Sequence, residues 1–173
     1  MTKSKSSIDR VGRLVGILVG VAVAVVALIA WRVPGGARTL GADVRIEALQ
    51  RGEIGVMPLH PFVSAPSLLP GSSVSGDVTV RNQTGVPLKV RLRALPSVRD
   101  LDQLLVMRVS AGARTLYDGE LGGLRASGSR PLALKATAAA HLRVSASLPA
   151  GLRSGFRGRI VDVTLQIDTQ HVR

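Results

Sequence analysis

From residue 43 onward, apolar and polar residues alternate in almost every segment long enough to show a period. Successive side chains of a strand point to opposite faces, so a period of two marks a strand with one dry face and one wet face. Val44, Ile46 and Ala48 alternate with Arg45 and Glu47. Val74, Val78 and Val80 alternate with Ser75, Asp77, Thr79 and Arg81, and Leu88, Val90 and Leu92 with Lys89, Arg91 and Arg93. Leu105, Met107 and Val109 predict a further strand, residues 114–117 another, and Leu132 with Leu134 a short one. Leu142, Val144, Ala146 and Leu148, then Val161, Val163, Leu165 and Ile167, complete the series. About eight short strands at regular spacing predict an all-β fold, a two-sheet antiparallel sandwich of jelly-roll or immunoglobulin type. Pro58, Pro61, Pro66 and Pro70 make residues 58–72 read as extended loop. Turn residues Asn82, Gln83, Thr84 and Gly85 predict a hairpin joining the strands on either side, and Asp118-Gly119 predicts a second turn. Only residues 98–105 suggest a helical turn.

A different pattern precedes the alternation. Residues 14–31 form an uncharged run of eighteen, bounded by Arg13 and Arg32 and preceded by Lys3, Lys5 and Arg10. A helix of that length rises ~27 Å at ~1.5 Å per residue, close to the apolar thickness of a bilayer. Basic residues ahead of the run predict a cytoplasmic N-terminus and an exported remainder. The expected organisation is a cytoplasmic basic segment (1–13), a transmembrane or signal-anchor helix (14–31), a flexible stalk (32–42) and an extracellular sandwich (43–173). Signal peptides have shorter apolar regions, which favours a retained anchor at the cell membrane. Pro34 and the small residues Gly35, Gly36 and Ala37 offer the alternative, cleavage near Ala37 and secretion. Gly12, Gly16 and Gly20, with Ala24, place small side chains near one helical face, a pattern that lets two helices approach closely. The same residues are also common in any membrane segment.

Composition narrows the chemistry. The chain has no cysteine, so disulfides, thiolate metal sites and thiol nucleophiles are excluded. Nineteen basic and ten acidic residues follow Trp31, for a net charge of +9, and seventeen of the nineteen are arginine. Such a surface favours polyanions, among them anionic lipid heads and acidic wall polymers. With one Tyr and two Phe beyond the apolar run, platforms for stacking bases are nearly absent, so nucleic acid is not the expected partner. Arg81, Lys89, Arg91 and Arg93 fall on the polar face of the expected hairpin and are the candidate polyanion contact; a plain solvated face is the simpler explanation.

No catalytic, cofactor or metal site is expected. His60, His141 and His171 are far apart in sequence and form no H-E-x-x-H pair. The pairs Asp100/Asp102 and Asp118/Glu120 lack the additional oxygen ligands a calcium loop needs. Gly119, Gly122 and Gly123 are followed by no P-loop lysine, and Ser72, Ser73 and Ser75 lack a G-x-S-x-G setting. Asn82-Gln83-Thr84 matches a glycosylation acceptor but reads better as a turn.

Residues 68–170 resemble the exported domain of the TasA/camelysin family of Gram-positive bacteria. The likeness rests on Leu69-Pro70-Gly71-Ser72 leading into Val78-Thr79-Val80-Arg81-Asn82-Gln83-Thr84-Gly85. It continues with Leu116-Tyr117-Asp118-Gly119-Glu120-Leu121 and with Ser147-Leu148-Pro149, Gly155-Phe156-Arg157-Gly158 and a closing strand ending at Gln170. The chain departs from the family in lacking its aromatic motif after the signal, in having Phe156 beside Arg157, and in its arginine content. The resemblance implies a jelly-roll-like sandwich, and in some members fibres of the biofilm matrix built by passing an N-terminal strand to the next subunit. Some members have been described as metalloproteases, but no zinc motif here carries that over.

The function expected is therefore that of a non-enzymatic exported surface or matrix structural protein, assembling as a homo-oligomer or fibre through sheet-edge strand exchange, with residues 43–49 as the donor strand. Pairing of that strand within its own sheet is the simpler expectation. The alternative is a membrane-tethered sandwich, an accessory subunit that docks onto a membrane or cell-wall partner complex.

Overall fold

In the computed structural model, residues 41–50, 52–95 and 101–172 are described. The basic segment, the apolar run with Gly12, Gly16 and Gly20, and residues 32–40 of the stalk lie outside them. Among the described residues no helix is long and apolar enough to cross a membrane. The chain order is β1 (Ala42–Leu49), β2 (Ile54–Met57), β3 (Val63–Leu68), β4 (Ser73–Asn82), β5 (Leu88–Ala94), β6 (Val106–Ala111), β7 (Arg114–Glu120), α1 (Leu121–Ser127), β8 (Leu132–Leu134), β9 (Ala139–Ser147) and β10 (Ile160–His171). One five-stranded sheet runs β3-β1-β10-β5-β8 and the other β2-β4-β9-β6-β7. The fold is all-β, and alternation places the core: Val44 and Ile46, Val78 and Val80, Val90 and Leu92, Leu142 and Val144, and Val163 and Leu165 are buried in one cluster drawn from both sheets.

Several expectations need correction or refinement. The sandwich is not wholly antiparallel, because β1 and β10 pair in parallel from Asp43↔Ile160 to Leu49↔Gln166. Parallel neighbours need a long connection, and here the connection is everything between the first strand and the last. Residues 58–72 are mostly loop, as expected, but β3 lies within them as an edge strand on β1. An edge tolerates Pro66, whose missing N–H breaks no interior ladder. In addition, β4 and β5 form no hairpin, since they belong to different sheets.

Asn82 sits at that crossing. Its turn chemistry is as expected: Thr84 N–H donates to Asn82 Oδ1 at 2.9 Å. The side chain, however, is wholly buried, and its Nδ2 donates to Val86 O at 2.8 Å and Lys135 O at 3.0 Å. Residues 83–87 lead from β4 to β5, and residues 135–138 lead from β8 to β9, so both segments pass between the sheets. One amide ties them together. Backbone bonds Asn82 N to Ala138 O (2.9 Å) and Thr137 N to Thr84 O (3.1 Å) add to the junction. The same burial agrees with reading Asn82-Gln83-Thr84 as a turn.

The Asp118-Gly119 turn is also absent, because β7 runs straight through it to Glu120. The real hairpin turn is Gly112-Ala113, where Gly112 takes φ +55° and β6 returns as β7. The short helix α1 was not expected. Its first N–H groups are accepted by the preceding turn, Leu121 N to Leu105 O and Gly122 N to Asp102 O. Arg125 in its last turn closes on Asp102 at 3.1 Å, a largely buried ion pair. The glycines make room for Tyr117: a Cβ at Gly123 would lie 2.5 Å from its hydroxyl, which donates to Glu120 O. Burial, with the Glu120 charge adding, pushes the Tyr117 phenol above its ordinary value.

Two outcomes are expected. Asn82→Ala should cost about 2–3 kcal/mol in chemical denaturation, because the carbonyls of Val86 and Lys135 lose their donor; a loss below about 0.5 kcal/mol would show that the junction contributes little. Tyr117 is the chain's single tyrosine, so tyrosinate absorbance reports it alone. Its midpoint should lie above 10.0 and fall back on unfolding.

Candidate functional site

A groove of about 820 Å³ lies on the outer face of the second sheet, at its β2 edge. Its position follows from the local sequence. Ile54 and Val56 point into the core, so Gly55 and Met57 face outward. Met57 precedes a cis peptide bond to Pro58, and residues 57–60 form one wall. Met57 is 71% exposed and Leu59 70%, the two most exposed large apolar side chains among the described residues. The floor comes from β4 and β9: Thr79 stands opposite Met57, Arg81 opposite Gly55, and Ala139 opposite Arg81. Gln83 and Thr137, from the two segments joined by Asn82, line the far side. Gly55 leaves room for Gln83: a Cβ would lie 2.7 Å from the Gln83 amide nitrogen, and that side chain would have to swing aside.

Among the described residues, the groove therefore combines apolar walls with one guanidinium and no carboxylate in its lining. Arg81 makes no ion pair among the described residues. His60 sits on the wall with Nδ1 at 3.1 Å from Pro61 O, and His141 lies behind Thr79 with Nδ1 at 2.9 Å from Thr79 Oγ1. His171 is elsewhere, 3.4 Å from Glu53. Among the described residues, no group of three or more His, Asp or Glu side chains is arranged to hold a metal ion. One carboxylate of each acidic pair is engaged with an arginine: Asp118 accepts from Arg108 at 2.6 Å, and Asp102 pairs with Arg125, while Asp100 lies outside the described residues.

The four candidate polyanion residues are not brought together. Arg81 faces out from the second sheet, whereas Lys89, Arg91 and Arg93 face out from β5 in the first. The shared hairpin that would have gathered them does not exist. On the first sheet, β10 supplies anions beside β5: Arg91 stands opposite Asp168, and Arg93 Nε lies 3.9 Å from Asp168 Oδ2. That face is a mixed-charge ladder. The second sheet has a comparable pair, with Arg143 Nε donating to Asp77 Oδ1 at 3.0 Å. The hydrogen bond from Arg143 holds the Asp77 carboxyl below its ordinary value, with coulombic attraction adding to it.

Sequence reasoning missed the groove because Met57 and Leu59 sit among prolines in a stretch that reads as loop. The visible signal was the apolar pair at 57 and 59 flanking Pro58, next to the short apolar strand Ile54–Met57. No family model matches the chain, and no curated protein matches it. Among solved structures, one described as "AvmM Catalyzes Macrocyclization in Alchivemycin A Biosynthesis" is 13% identical over 70% of this chain and 88% of its own, with a TM-score of 0.27. A likeness that distant carries no argument about this chain.

The Asp77–Arg143 pair gives a pH test. Because the folded-state pKa of Asp77 is depressed, the pair's contribution is present above the ordinary value of 3.8 and is lost as pH falls through the folded value. In Arg143→Gln the Asp77 carboxyl, followed by NMR titration, should move up toward 3.8. An unchanged midpoint would remove Arg143 as the cause.

Proposed function

We propose that this chain is a non-enzymatic, membrane-tethered β-sandwich that works by docking, and that the β2 edge with its groove receives an extended segment of another polypeptide. The observation that carries this reading is the coincidence of an open sheet edge with the most exposed apolar side chains and an arginine that has no ion-pair partner among the described residues. An edge strand offers backbone donors and acceptors to an added strand, while a neighbouring groove selects its side chains. Met57, Pro58 and Leu59 suit an apolar side chain of the guest, and Arg81 suits an acidic one.

Of the two expected functions, the accessory subunit is favoured over the strand-exchanging matrix protein. Residues 43–49, the expected donor, are paired on both sides, with β3 and with β10. Donating them would remove a strand from inside the first sheet. A jelly-roll-like layout and a TasA/camelysin relationship remain compatible with this reading, and the apolar run at 14–31 supplies the tether.

A photo-crosslinker at Met57 in the full chain, expressed in its own cells, tests the proposal. One defined adduct with a membrane-associated protein is expected at Met57, with none from a crosslinker at Lys89 on the opposite face. The adduct should fall at least tenfold in Arg81→Glu, while the circular dichroism of the variant stays unchanged. A ladder of self-adducts, or filaments of the purified chain, would overturn the accessory reading in favour of matrix assembly.

A further inference from the structure

The loop between β9 and β10 carries a concentration of positive charge that neither the groove nor the charge ladders use. Residues 149–159 contain Arg153, Arg157 and Arg159, all exposed, and no carboxylate. The loop is held firmly. Leu152 packs on the core and Phe156 is buried. The guanidinium of Arg157 sits 5.9 Å from the Phe156 ring centroid. Gly155 and Gly158 take φ +87° and +67°, which the turns around Phe156 require. Two anchored apolar residues thus fix the backbone, so that Arg153 and Arg157 are presented outward from a defined end of the sandwich.

That end is the one at which β1 begins. Gly158 N donates to Gly41 O at 3.0 Å, and Asp43 N donates to Arg159 O at 2.8 Å. Leu69, at the start of the β3–β4 turn, and Ile160, the first residue of β10, lie at the same end and are 45% and 64% exposed. Among the described residues, the carboxylates toward this end are occupied or set back along the sheet, and Arg159 is itself engaged, which leaves Arg153 and Arg157 as the outward charges. Asp43 Oδ1 accepts the Ser67 N–H at 2.8 Å, Asp162 stands opposite Arg45, and Asp102 is paired with Arg125. Gly41 follows Arg32, where the apolar run closes, by nine residues. Even fully extended they reach only ~30 Å, so on the tether reading this end is the one kept within reach of the bilayer.

We propose that the end of the sandwich formed by residues 149–159, Leu69 and Ile160 seats on anionic lipid headgroups, with Arg153 and Arg157 as the principal contacts. The inference rests on the tethered reading above. Fixed arginines beside exposed apolar side chains are the chemistry of an interfacial contact: guanidinium groups meet phosphate, and the apolar neighbours enter the headgroup layer. Seating this end leaves the Asn82 end and its groove directed away from the bilayer and accessible to a partner.

The absence of cysteine allows a clean test. A single introduced cysteine at Ser154 in the loop, or at Gly85 near Asn82, carries a fluorophore; a Cβ at Gly85 meets nothing within 4 Å. The full chain is reconstituted into vesicles of phosphatidylcholine alone or with phosphatidylglycerol, each containing a headgroup-labelled quencher. With phosphatidylglycerol, quenching at Ser154 should exceed that at Gly85 several-fold. The excess should collapse in high salt and in the double variant Arg153→Gln, Arg157→Gln. Equal quenching at the two sites, or an excess indifferent to both salt and charge removal, would overturn the proposal. If the full chain does not float with vesicles of either composition, the tether itself fails, and the seating fails with it. That result differs from a chain that floats but shows no preference for Ser154.

Discussion

Two chain segments cross between the sheets at the Asn82 end, and one buried amide bonds to both. A buried carboxamide left unsatisfied is costly, because water no longer solvates it. Asn82 avoids that cost by donating to one carbonyl in each crossing and accepting from Thr84. The arrangement decides topology as well as stability. Once β4 hands over to β5 across the sandwich, β9 takes the place beside β4 that a hairpin partner would have held, and β5 is free to pair with β10 and β8. The groove's far wall, Gln83 and Thr137, belongs to the same junction. Its shape is therefore coupled to the geometry of the Asn82 amide.

The outer faces divide the charge unevenly. Across β5, β10 and β1 the arginines stand beside aspartates, and across β4, β9, β6 and β7 the pairs Asp77–Arg143 and Arg108–Asp118 repeat the pattern. Exposed pairs of this kind contribute little to stability. Their main effect is to neutralise the broad faces, so that the excess of arginine is expressed at the margins: Arg81 in the groove, and Arg153 and Arg157 on the β9–β10 loop. A protein that works by contact at one edge and one end is consistent with faces that carry little net charge.

Much of this was legible from residue spacing. The alternations at Val44/Ile46/Ala48, Val90/Leu92 and Val161/Val163/Leu165/Ile167 identify strands and their buried sides without ambiguity, because a strand face repeats every second residue. The Asn82-Gln83-Thr84-Gly85 turn was legible too, but its consequence was not. The same Asx turn can close a hairpin or start a crossing, and what separates them is the carbonyl of Lys135, fifty-three residues away. The helix α1 was hidden because Leu121-Gly122-Gly123 is poor helix-forming sequence; carbonyls from the turn before β6 stabilise its first turn. Strand β3 was hidden by Pro66, which is acceptable only because the strand is an edge.

By itself, the sequence determined the all-β character, the inward and outward faces of most strands, the lack of thiol chemistry and the excess of arginine, since each depends on residue identity or on a period of two along the chain. Pairing was decided only in three dimensions. That β1 lies parallel to β10, that Arg81 and Arg91 look in opposite directions, and that Met57 and Leu59 flank a groove all depend on which strands are neighbours. Neighbour choice is settled by a few long-range bonds and by how one shared core fills. Local spacing records which side of a strand is dry, but nothing about which strand lies beside it.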